Sequence, residues 1–226
     1  MRHASLIRAS GGLLAALLAV GARAESTATE RFDADLTSSH VTVEGTSTLH
    51  NWKVEGQSVK GYLSIDEQEL AALWMRSGPS PHPLAATVRV EIPVISLTSG
   101  KRGMDEKMHE ALRAKMYPTI TYRLESAKIA TRQTTHPGDD AGETRTINAK
   151  GFLTMAGVEQ LIDIPMQVRR LPENRLEISG DISLRMTEFG IDPPRAMLGT
   201  LRTGDTVHVQ WTWVLARGRI DNRDVP

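Results

Sequence analysis

The side chains able to do chemistry are few and scattered. Ser47, His50 and Asp105 are the types a hydrolytic triad needs, but no G-x-S-x-G elbow surrounds a serine. Met104, Met108, His109 and Met116 carry soft-metal donors, yet Met104 and Met108 stand at helical spacing, which suits a core or cavity wall better than a copper site. No H-E-x-x-H, H-x-H or clustered carboxylate run offers metal-ligand spacing, and phosphate-cradling glycine loops are absent. His50, in TLHNW, is the best-placed histidine for function, but it better suits a turn in which its ring bonds backbone near Trp52. The protein therefore reads as a binder and not an enzyme, with no metal and no cofactor of its own.

The segment from Val94 to Tyr122, VISLTSGKRGMDEKMHEALRAKMYPTITY, organises the rest. Met104, Met108, Ala111 and Leu112 fall at i, i+4, i+7 and i+8, one apolar stripe on a short helix. Such a helix is too short to stand alone and needs an apolar partner. That partner is β-sheet. Val59, Leu63 and Ile65 share one parity, as do Ala86, Val88, Val90 and Ile92. Ile120, Tyr122 and Leu124 open another strand behind Pro118, and Thr146–Thr154 leads to a turn at Met155-Ala156-Gly157. Pro165 marks an edge or bulge within residues 161–168, and Gly180 a bend among Leu176, Ile178, Ile182 and Leu184. Val207, Val209, Trp211, Trp213 and Leu215 give the cleanest alternation. A second helix is expected over Asp66–Met75, and a polar hairpin loop over residues 131–144. Many short strands and one helix fit a closed antiparallel barrel, which leaves no exposed edge; a two-sheet sandwich has the same periodicity.

Residues 1–24 carry Arg2 and Arg8, an apolar run from Leu13 to Val20, and Ala22-Arg23-Ala24 before Glu25, the pattern of a cleavable secretory signal peptide. The apolar run is shorter than the roughly 20 residues that span a bilayer, and no later segment is long enough. Cleavage removes three arginines and no acidic residue, leaving 24 basic against 27 acidic side chains over residues 25–226. That balance gives no basic face for nucleic acid. Cysteine is absent, so disulfide staples and thiolate chemistry are excluded. Residues 25–226 fit one β-rich domain.

The run EIPVISLTSGKRGMDEKMHEALRAKMYPTITY resembles the signature segment of the YceI-like family. The likeness continues in TSTLHNWKVEG (Thr46–Gly56), in GFLTMAGV (Gly151–Val158) and in FGIDPP…G (Phe189–Gly199), and covers roughly residues 31–216. The resemblance implies an all-β fold: an extended eight-stranded antiparallel lipocalin-like barrel with a short helical insertion beside one mouth. It also implies a periplasmic protein whose lumen holds a polyisoprenoid or fatty-acid-like chain.

The lumen-facing alternations suit either a solid core or a ligand slot, since a barrel of this size takes both forms. With a cavity, Trp211 and Trp213 line it together with Val88, Val90, Ile178 and Ile182, and Met104, Met108 and Leu112 cover one end. Lys101 and Arg102, at the helix start, are the first candidates to hold an anionic head, though the same pair suits an ordinary solvated basic turn. The protein is then a carrier or sequestering protein for a long-chain lipid. With a solid barrel it is a nonenzymatic envelope protein that binds a protein partner.

Overall fold

The computed structural model describes residues 28–133, 143–196 and 201–218. The expected signal peptide and most of the expected polar hairpin loop lie outside these residues. In chain order the elements are Thr29–Ala34 (β1), His40–Ser47 (β2), Trp52–Gly56 (β3), Lys60–Asp66 (β4), Glu67–Met75 (α1), Ala86–Pro93 (β5), Leu97–Thr98 (β6) and Arg102–Ala111 (α2). Thr119–Gln133 (β7), Thr144–Met155 (β8), Val158–Leu171 (β9), Arg175–Arg185 (β10), Arg195–Ala196 (β11) and Leu201–Arg217 (β12) complete the chain.

The strands close on themselves. β1 pairs with both β4 and β12, and the path β4-β5-β7-β8-β9-β10-β12 returns to it, an eight-membered antiparallel ring. Closure decides for the barrel over the sandwich. Three of its walls are broken strands. β1 and β2 lie end to end along the same edge of β12, because β1 meets residues 215–217 and β2 meets residues 203–212. In the same way β3 continues into β4 and β5 into β6, and β2, β3 and β6 extend the barrel at one end. At the first break Ser39 replaces the ladder: its hydroxyl accepts from Val214 N at 3.0 Å and donates to Val214 O at 3.3 Å. This keeps the backbone of a buried β12 residue satisfied where β1 bends away.

Turn chemistry sets the hairpins. Ala156 and Gly157 both take positive φ (50° and 83°), the two-residue turn whose twist matches an antiparallel pair. Two register shifts in the β7–β8 ladder, at Leu124/Ser126 and Ile129/Thr131, add the local twist that curls the sheet.

β9 and β10 pair only as far as Met166 opposite Gly180, although both strands run on. Pro165, lacking an N–H, is the next β9 residue, so the expected edge is where the two walls part. The 3-10 turn Met186–Phe189 fills the parting, with Phe189 buried and Gln160 Nε2 donating to Glu188 O at 2.8 Å.

α1 shuts the narrow end. Asp66 caps it by accepting from Gln68 N at 2.8 Å, and Leu73 and Trp74 are buried. Its last carbonyls face Arg145, a fully buried arginine of β8. Arg145 Nε donates to Leu73 O at 2.6 Å, and Nη2 donates to Trp74 O and pairs with Glu143 at 2.8 Å. A buried guanidinium is tolerated here because helix-end carbonyls and a carboxylate surround it.

Candidate ligand cavity

The alternations of β5, β10 and β12 put Val88, Val90, Ile178, Ile182, Trp211 and Trp213 on the inner wall of the barrel, around a narrow inner space of about 190 Å³. Leu70 and Leu73 of α1, with Leu84, form its floor. Glycines make room for the rings. A Cβ on Gly180 would come within 2.5 Å of the Trp211 indole, which lies across the opposite β10 backbone. Gly180 is thus a seat for a ring at the parting of β9 and β10, rather than the simple corner its parity suggests. Gly151 seats Tyr122 and Gly45 seats Trp52 by the same close approach. Burial pushes the Tyr122 phenol up to about 12, with the Asp163 charge adding to it, so Tyr122 stays neutral. The Tyr122 hydroxyl and Trp213 Nε1 are buried in this wall with no hydrogen-bond partner among the described residues.

Towards the opposite end the lumen widens into a cavity of about 610 Å³, beneath α2. The two spaces abut, with Val41, Ile92, Leu153, Leu184 and Val209 lining both. α2 carries Met104, Met108, Ala111 and Leu112 on the cavity side, as its i, i+4, i+7, i+8 stripe requires. The other side pins the helix to β6. Asp105 accepts from Thr98 Oγ1 at 2.8 Å and from Ser99 N and Oγ at 2.7 and 2.6 Å, and His109 Nε2 bonds Leu97 O at 2.9 Å. Burial pushes the Asp105 carboxyl up, but the Ser99 and Thr98 hydrogen bonds outweigh it and hold it below its ordinary value. Beyond the helix Arg113 donates to Gly190 O at 2.8 Å, fastening α2 across the mouth. No residue of α2 is fully buried, because its apolar face looks onto open space.

Residues 32–215 match the model of the YceI-like domain. The chain belongs to the YceI-like family. Two solved structures share the YceI-like barrel seen here. Burkholderia cenocepacia BcnA is 14% identical with a TM-score of 0.57, the match covering 80% of this chain and 99% of that one. A polyisoprenoid binding domain from Saccharophagus degradans, implicated in plant cell wall breakdown, is 15% identical with a TM-score of 0.57, covering 85% and 99%. At these identities the likeness is one of fold. No curated protein matches the sequence.

Of the candidate site residues, the six from β5, β10 and β12 meet at the inner slot, and Lys101, Met104, Met108 and Leu112 at the outer cavity. Arg102 does not line it: its guanidinium turns outward to Glu106 at 2.9 Å, with the side chain 91% exposed. Ser47, His50 and Asp105 do not form a relay. The Ser47 hydroxyl donates to the His50 carbonyl at 2.7 Å, closing the β2–β3 turn, while Asp105 is engaged by Thr98 and Ser99. The sulfur set does not converge either, since His109 faces Leu97 O and Met116 is 71% exposed. Among the described residues no group of three or more His, Cys, Asp or Glu side chains is placed to hold a metal.

Sequence reasoning missed Tyr122, Lys107, Arg185 and Arg195 as lining residues. Lys107 was within reach, because it stands three residues after Met104 and four before Ala111 on the same helix face. The two arginines come from distant segments and leave no periodic signal.

Proposed function

We propose that this YceI-like barrel binds and carries, or sequesters, a long-chain amphiphilic lipid of the isoprenoid or fatty-acid-like class, in the periplasm and after removal of residues 1–24. The observation that carries this reading is the pair of adjoining cavities between α1 and α2, walled mainly by aliphatic side chains and indoles. Each CH₂ taken from water into such a wall contributes about 0.8 kcal/mol before ordering costs, so a long chain binds without polar detail. Wide, rigid indoles such as Trp211 and Trp213 suit a ligand with nothing but surface to recognise. The fold shared with a polyisoprenoid binding domain supports the same class of cargo. The solid-barrel reading needs a filled interior, and the 610 Å³ cavity weighs against it.

Mass spectrometry of an organic extract from protein purified without detergent tests the proposal directly. A bound long-chain lipid is expected, and stripped protein should take up a polyisoprenoid with a change in tryptophan fluorescence and a rise in Tm. A barrel that yields no lipid and takes up none from a panel of isoprenoids and fatty acids would leave the envelope-partner reading.

A further inference from the structure

The slot is asymmetric in charge. The described residues lining the inner space include no charged side chain, whereas those lining the outer cavity include Lys101, Lys107, Arg185 and Arg195, and no carboxylate. Arg185 is neutralised by Asp205 at 3.1 Å, a carboxylate that Thr187 also holds. Lys101, Lys107 and Arg195 form no ion pair among the described residues. Three uncompensated cations thus ring the mouth of a hydrocarbon slot, in a domain whose formal balance over residues 25–226 is acidic. They come from both sides of the opening: two from α2 and its start, and one from β11, some ninety residues later in the chain.

We infer that the cargo is a single-chain amphiphile with an anionic head, a phosphate or a carboxylate, held at the mouth by Lys101, Lys107 and Arg195 while its tail runs inward towards Trp213. This rests on the carrier reading and adds the chemistry of the head and the direction of insertion. All three are solvent-exposed, so an anionic head at the mouth can stay in contact with water while it meets three cations and no carboxylate of the described lining. Arginine and lysine both serve, the guanidinium with a planar fork and the ammonium as a point charge.

Matched pairs separate head from tail: geranylgeranyl monophosphate against geranylgeraniol, and palmitate against 1-hexadecanol, each titrated into the stripped full chain. The anionic member of at least one pair should bind about tenfold more tightly than its alcohol, a preference that falls with added salt as exposed charges require. Whether the phosphate or the carboxylate shows it identifies the head. Combined Lys101→Ala, Lys107→Ala and Arg195→Ala should abolish the preference and leave the alcohols unchanged, whereas Lys60→Ala with Lys128→Ala, on exposed strand positions, should keep it. Lipids spin-labelled near the tail tip should quench deep tryptophan emission more than those labelled near the head. Equal affinity within both pairs, or a triple variant that weakens anion and alcohol alike, overturns the anionic head and leaves the carrier reading intact. Failure of all four probes to bind overturns the carrier reading itself.

Discussion

The barrel is covered at each end by a helix of almost the same length, nine residues in α1 and ten in α2, yet the two helices do opposite work. α1 is side-chain capped by Asp66, buries Leu73 and Trp74, and has its terminal carbonyls held by the buried Arg145. α2 has no side-chain N-cap, buries nothing completely, and is held by hydrogen bonds on its outer side and at its end. A helix that fills space becomes a plug; one that spans space becomes a lid. The difference lies in what each apolar face meets, since both sequences carry apolar residues at helical spacing.

The largest expected effect tests the plug. Arg145→Met removes the donors to the Leu73 and Trp74 carbonyls and the ion pair to Glu143, and should cost about 3–5 kcal/mol, the range for breaking a buried charged network. Urea denaturation measures it. A loss no larger than that of a lid variant such as Asp105→Asn would erase the distinction between the two helices.

Next comes the wall between them. Gly180→Ala drives a methyl into the Trp211 ring and should cost about 1–3 kcal/mol by overpacking, with a changed near-UV signal from the displaced indole. If the variant melts like the wild type, the ring does not rest on that glycine.

Met108→Trp sharpens the description of α2 as a lid over a void. A bulkier side chain aimed into the outer cavity should change stability by less than about 0.5 kcal/mol while reducing lipid uptake. A fall of about 1–3 kcal/mol, the usual cost of overpacking, would mean that the space is already filled.

The smallest effect is a pH dependence. The Asp105 carboxyl is held below its ordinary value of 3.8 in the folded protein, so it adds stability above the unfolded value, and that contribution is lost as pH falls through the lowered one. Wild type and Asp105→Asn should therefore differ at pH 6 and converge as the pH drops below 3.8. Thermal melts across that range follow the convergence; a constant gap would mean that the Asp105 charge does not fasten the lid.

Much of this architecture is legible in local pattern. The i, i+4, i+7, i+8 stripe of Met104, Met108, Ala111 and Leu112 does face the lumen side, and the period-two runs of β5, β10 and β12 do put Val88, Ile178 and Trp213 on the inner wall. The helix over Asp66–Met75 and the Ala156-Gly157 turn are equally local. Arg102 shows the limit. It neighbours Lys101 in sequence, but one step along a helix is about 100°, and its guanidinium ends on Glu106 outside the cavity.

The sequence by itself therefore determined the elements, their inward faces and the membership of the YceI-like family, because periodicity and turn chemistry act over a few residues. Only the tertiary structure decided that the strands close into a ring and that β9 and β10 part at Pro165. It also decided that Arg145 meets the end of α1, and that Lys101, Lys107 and Arg195 share one opening. Those contacts join residues tens of positions apart, and their geometry follows from the barrel's closure and curvature, which no short stretch of chain encodes.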